Sequence, residues 1–146
     1  MKHSVGLLNR GKKMKYQKGY KCRLYETEVF YTCIRPSKDI VTKFCSLTTE
    51  GVLTGYEGYA WDLASAPVFQ TKSSKRGTLA HDIFYQLMRM GELDIAFRPL
   101  VDSELKRICI EDGMWEWRAE MWRKMVSKFA AGAADKSGER PILEAP

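Results

Sequence analysis

The chain has no run of about 18 apolar residues, the length a helix needs to cross a bilayer, so a membrane-spanning helix is not expected. Residues 1–15 also lack the continuous apolar core and small-residue cleavage site of a secretory leader, and none is expected. Histidine is scarce: only His3, in a charged terminal stretch, and His81 occur. The four cysteines, Cys22, Cys33, Cys45 and Cys109, contain no C-x-x-C pair, which removes the usual basis for a thiolate zinc site. They read as small buried hydrophobes in a reducing compartment. A Cys22–Cys33 or Cys33–Cys45 bridge stays open wherever neighbouring strands face each other.

Negative charge is missing from the first 23 residues, which hold eight Lys or Arg and no acid. The other 16 basic and 18 acidic residues leave the rest of the chain at −2, so the net charge of +6 belongs to an amino-terminal arm. Lys12, Lys13 and Lys15 are its candidate partner contacts. Such an arm attracts nucleic acid or an acidic protein surface through salt-sensitive, sequence-blind contacts, or simply keeps a terminus solvated.

What is present is enough for one folded domain. At 146 residues with 45% hydrophobic side chains, a core can form without disulfides or metals. Residues 20–34, 39–47 and 52–60 have strand composition, punctuated by Arg35-Pro36-Ser37. Thr48-Thr49-Glu50-Gly51 reads as a hairpin turn in which Gly51 supplies a positive φ, and Gly55 and Gly58 mark a bulge or a close backbone approach. From Ser73 the period turns helical: Leu79, Ala80, Ile83, Phe84, Leu87 and Met88 form one stripe, Ser73 or Ser74 caps it, and Gly91 stops it. A second helix is expected from Pro99 to Gly113, with Asp102 in its first turn, where the macrodipole favours an anion. The third, over 114–131, places Met114, Trp117, Met121, Trp122, Met125, Val126 and Phe129 at helical spacing, as core or as a partner-binding surface built on Trp117 and Trp122. The expected fold is α+β: a small antiparallel sheet of three or four strands followed by and packed on three helices. It spans 20–131, between a basic arm at 1–19 and an extended tail at 132–146.

Chemistry-bearing side chains concentrate in Trp61-Asp62-Leu63-Ala64-Ser65-Ala66-Pro67 and Leu79-Ala80-His81-Asp82-Ile83-Phe84-Tyr85. Asp62, Ser65, His81, Asp82 and Tyr85 are the catalytic candidates. Asp62, His81 and Asp102 form a donor set suited to one divalent ion such as Zn²⁺, Mn²⁺ or Fe²⁺, able to ionise a bound water. The i, i+4 spacing puts His81 and Tyr85 on one strip of the helix and turns Asp82 about 100° away. A Ser65–His81–Asp triad is disfavoured because Ser65 lacks a Gly-x-Ser-x-Gly elbow. The same residues also serve a structural reading. Asp62 and Ser65 can brace a turn, His81 can bond Asp102 or a backbone carbonyl to join two helices, and the Tyr85 hydroxyl can satisfy another buried acceptor.

The order Trp61-Asp62-x-Ala64-Ser65-x-Pro67, then His81-Asp82-x-x-Tyr85, then Asp102 on the next helix resembles an uncharacterised family found mostly in bacteriophages and prophages. The resemblance covers roughly residues 21–131. Thr78 and Val101 depart from it, each standing where the family usually has alanine, and the hairpin before Trp61 is longer. It implies a sheet leading into the turn and helices, and synthesis in the cytoplasm of a bacterial host with a place in the virion. Two functions follow as expectations. One is a virion-associated or assembly component that binds other phage proteins or copies of itself, with a structural Asp/His/Tyr cluster. The other is a metal-assisted hydrolase of cell wall or another host polymer.

Overall fold

The structure, a computed structural model, describes residues 14, 16–17, 22–61 and 71–129. Within them seven short strands precede three helices, an α+β fold: β1 Tyr16–Gln17, β2 Cys22–Leu24, β3 Glu28–Tyr31, β4 Ile40–Val41, β5 Cys45–Leu47, β6 Val52–Gly55, β7 Ala60–Trp61, α1 Lys75–Arg89, α2 Arg98–Glu111 and α3 Glu116–Phe129. All strand pairs are antiparallel, in two sheets of order β1-β2-β7 and β3-β6-β5-β4. The sheet begins earlier than the sequence reading placed it, because Tyr16–Gln17, inside the expected arm, pairs with β2.

The two sheets are one ladder broken by a bend. Cys22 opposes Trp61 and Glu28 opposes Gly55, so a single register runs through the break at residues 25–27 and 56–58. Leu24 N donating to Tyr59 O at 2.8 Å keeps that register up to the bend. Alternation fixes the inner face: Cys22, Leu24, Phe30, Leu47 and Leu53 are buried, whereas Arg23 is exposed.

The expected β5–β6 turn forms, with Gly51 at φ +91° and its N–H donating to Thr48 O. Thr32 donates both its N–H and its hydroxyl to Gly51 O, at 2.9 and 2.8 Å. A Cβ at Gly51 would stand 2.1 Å from Thr32 O, so the turn excludes a side chain on two grounds. Gly55 is the close approach its position suggested: a Cβ there would meet Ile83 Cδ1 at 2.9 Å, where α1 crosses β6.

The apolar stripe of α1 is buried as its spacing requires, and Leu79, Ile83, Phe84 and Leu87 join strand side chains in the main core. Each such side chain contributes about 1.5–3 kcal/mol on burial. Ser74 is the N-cap residue, but its hydroxyl bonds Thr71, donating to Thr71 O at 2.8 Å, and does not cap the helix amides. Helix α2 packs on α1, and α3 packs on α2 around a second core of Leu105, Cys109, Met114, Ala119, Trp122 and Val126. The helices are thus stacked outward from the sheet. No helix among the described residues is long and apolar enough to cross a membrane.

Candidate functional site

The polar centre of the molecule lies between α1 and α2. His81 and Tyr85, one turn apart on α1, both reach Asp102 of α2: His81 Nε2 and the Tyr85 hydroxyl each lie 2.7 Å from Asp102 Oδ1. The two rings stack with centroids 4.1 Å apart and planes at 25°. Asp102 is 2% exposed and His81 8%. A carboxylate so buried persists only where donors replace its water, and here both donors come from the neighbouring helix. Facing a carboxylate, Nε2 is the donor of this bond. Nδ1 makes no hydrogen bond to a described residue.

Asp102 does not stand in the first turn of its helix as the sequence reading had it. The helix starts at Arg98, with Pro99 in its first turn, and that turn holds no acid. The macrodipole is therefore not what stabilises this carboxylate; the two side-chain donors are. Burial, and then the Asp102 carboxylate it donates to, hold the Tyr85 phenol well above its ordinary value, with Arg98 offsetting only part. Tyr85 is a hydrogen-bond donor here, not a base.

Asp82 belongs to a different group, as the helical wheel required. The Tyr59 hydroxyl, on the corner between β6 and β7, lies 2.8 Å from both Asp82 Oδ2 and Gln86 Oε1. Burial and then the Asp82 carboxylate push the Tyr59 phenol well up. This contact ties α1 to the sheet, whereas His81 and Tyr85 tie it to α2.

A third polar system, which motif reasoning missed, clamps α2 to the sheet. Arg107 donates to Glu104 Oε2, to Glu111 Oε2 and to Tyr31 O, at 2.8, 2.8 and 2.9 Å. Glu104 Oε1 accepts the Cys33 N–H at 3.2 Å. Arg76 of α1 donates to Asp112 Oδ1 at 2.7 Å, approaches Glu28 Oε1 at 3.4 Å, and lies over the Phe30 ring. Glu111 stands 3.8 Å from Arg76 and so links the two arginines. The i, i+3 and i, i+4 spacing of Glu104, Arg107 and Glu111 was visible in the sequence; the long-range partners Glu28, Tyr31 and Cys33 were not.

None of the four cysteines is bridged, and Cys22, Cys45 and Cys109 are buried as expected, but Cys33 is exposed. Desolvation and then the Glu104 carboxylate push its thiol from 9.0 to about 11. At pH 8 its thiolate population is then about 100-fold below that of an ordinary thiol. In the native protein a thiol reagent is expected to label Cys33 first, yet slowly, and Glu104→Gln should accelerate it. Peptide mass spectrometry of timed samples reads both outcomes.

The partner-contact candidates Lys12, Lys13 and Lys15 and the site candidates Asp62 and Ser65 lie outside the described residues, as do 130–146. For the metal set, this leaves His81 and Asp102. Their facing atoms, 2.7 Å apart, are spaced for a shared proton. Two ligands each about 2.1 Å from one ion would stand about 3 Å or more apart. Among the described residues, no three His, Cys, Asp or Glu side chains converge as a metal site.

Neither family models, nor curated proteins, nor solved structures match this chain.

The remaining candidates are the two tryptophans of α3, and the structure separates them. Trp122 is fully buried in the α2–α3 core, which corrects its assignment to a partner surface: its position shares the inner stripe with Ala119 and Val126. Trp117 is 63% exposed, and beside it stands Trp115, 72% exposed, with ring centroids 6.2 Å apart. Trp115 shares the helical spacing of Ala119, Trp122 and Val126, so sequence alone gives no sign of its exposure; the structure starts α3 at Glu116 and leaves Trp115 outside the helix.

Proposed function

We propose that the protein is a binding component of a bacteriophage or prophage assembly, made in the host cytoplasm and associated with the virion. In this reading His81, Tyr85 and Asp102 are a structural tie. The observation that carries it is the closure of the cluster: one Asp102 oxygen takes both hydrogen bonds, and the set is consumed in joining α1 to α2. The exposed Trp115 and Trp117 support it, since large aromatic side chains left in water are characteristic of contact surfaces. The basic arm supplies a nucleic-acid contact, whose binding would fall steeply with salt. Particles purified from a producing culture are expected to contain the protein, and Trp117→Ala to lower its copy number without changing its unfolding temperature. Absence from both particles and assembly intermediates would sink the reading.

One observation favours hydrolysis as a second reading. The Asp102–His81 pair is arranged like the orienting half of a general base, with Nε2 on the carboxylate and Nδ1 unengaged by described residues. Asp102 and Tyr85 would then be positioning residues, and Asp62 and Ser65 would complete the site, with a divalent ion activating water. Release of soluble fragments from cell-wall preparations, dependent on added Zn²⁺, Mn²⁺ or Fe²⁺ and lost in His81→Ala, is the outcome this reading expects. No release with any of them counts against it.

A further inference from the structure

The outward face of α3 has an asymmetry that suits one kind of partner. Ala119, Trp122 and Val126 point inward. At about 100° per residue, Trp117, Met121, Lys124 and Lys128 fall on the opposite side as one stripe. All four are exposed. The stripe is aromatic and apolar in its first two turns and cationic in its last two. The flanking charges lean the same way: Glu116, Arg118 and Glu120 stand in the first two turns and Arg123 after them.

We propose that this face docks a second copy of the same chain, helix against antiparallel helix. The proposal rests on the reading of the protein as a binding component and names its partner. A two-fold axis between Met121 and Lys124 places the Trp117 ring of each copy against the lysine end of the other, and repeats every contact twice. Trp is the best acceptor of a cation over its ring, and a Lys stem covers apolar surface while its ammonium stays wet. With two acids and one base in the first two turns and Arg123, Lys124 and Lys128 after them, the antiparallel order sets unlike net charge together, whereas a parallel pair would oppose Lys to Lys. Phosphate chains or an anionic bilayer fit less well, because Glu116 and Glu120 flank the tryptophan end. A 14-residue helix is about 21 Å long, so the buried area falls below the roughly 800 Å² per partner of a standard interface, and the dimer is expected to be of micromolar affinity.

Sedimentation velocity on the full chain, from about 1 to about 200 µM, tests this. The wild type should pass from monomer to dimer in that range. Trp117→Glu and Lys124→Glu should each weaken the dimer about 10-fold or more, and Lys124→Arg should keep it, because Arg retains the charge and a stem that covers the facing Met121. Unchanged unfolding temperatures establish that these variants stay folded. A wild type that is monomeric throughout overturns the proposal, as does a dimer that both glutamate variants leave intact. Particle incorporation separates this failure from failure of the wider reading. If the chain is monomeric but Trp117→Glu is lost from particles, the face binds another protein. If it is monomeric and incorporation is untouched, both readings fall.

Discussion

Asp102→Ala is expected to destabilise the protein by about 3–5 kcal/mol, the range seen when one partner of a buried charged group is removed. The carboxylate is 2% exposed and takes the hydrogen bonds of His81 Nε2 and the Tyr85 hydroxyl on a single oxygen. Truncation leaves a phenol and an imidazole N–H between two helices with no acceptor, and each buried unsatisfied group costs about 1–3 kcal/mol. The loss corresponds to a fall in unfolding temperature of roughly 10–20 °C for a domain of this size. Asp102→Asn retains one acceptor oxygen and should cost less. Tyr85→Phe removes a donor but leaves the His81 bond to the carboxylate, and about 1–2 kcal/mol is expected. Thermal and denaturant unfolding of the three variants reads the series. The order Ala, then Asn, then Phe is what a structural tie predicts. A centre kept for chemistry behaves otherwise, since removing a strained catalytic group leaves stability unchanged or raises it. A neutral or stabilising Asp102→Ala would therefore transfer weight to the general-base reading, in which the unengaged Nδ1 of His81 is the reactive atom.

The helical wheel was sufficient to pair His81 with Tyr85 and to send Asp82 elsewhere, because a 3.6-residue period fixes directions around one axis without knowledge of the rest of the chain. The stripe of α1 was legible for the same reason. A bond between His81 and Asp102 was among the structural alternatives open from sequence; that Tyr85 shares the same oxygen depends on how α1 crosses α2, a distance between helices that no periodicity encodes. The sheet shows the complementary limit. Composition marked the strand-bearing segments and Gly51 marked the turn, but the bend at 25–27 and 56–58 splits one register into two sheets, and a register constrains residues across the chain. Tyr59 became the partner of Asp82 and Gln86 through that bend. The Arg76 contacts to Glu28 and Asp112 likewise join three elements distant in sequence, where any of the 18 acidic residues was an available partner.

Trp117 and Trp122 looked equivalent in the sequence, two tryptophans on one methionine-rich helix, and mutation should separate them sharply. Trp122→Ala is expected to cost about 3–5 kcal/mol, because truncating a large buried aromatic loses its transfer energy and leaves a cavity. The ring is 0% exposed, and its neighbours in the second core are Leu105, Cys109, Met114, Ala119 and Val126. Ion pairs of α3 such as Lys106 to Glu120 are partly exposed and contribute about 0–1 kcal/mol each, so the ring is the largest side chain α3 gives to the core that attaches it to α2. Loss of the ring should therefore release α3 from α2 before the sheet and α1 unfold, which a fall in helical circular dichroism ahead of the near-ultraviolet signal of the main core would register. Trp122 Nε1 is buried without a hydrogen-bond partner among the described residues, so Trp122→Phe removes an unsatisfied donor along with part of the ring. These two effects oppose each other, and Trp122→Phe should cost well under half as much as Trp122→Ala. Trp117→Ala, on the exposed side of the same helix, should change stability by no more than about 0.5 kcal/mol. A Trp122→Ala variant as stable as Trp117→Ala would mean that α3 does not pack on α2 through its inner stripe, and the outward face assigned to partner binding would have to be assigned again.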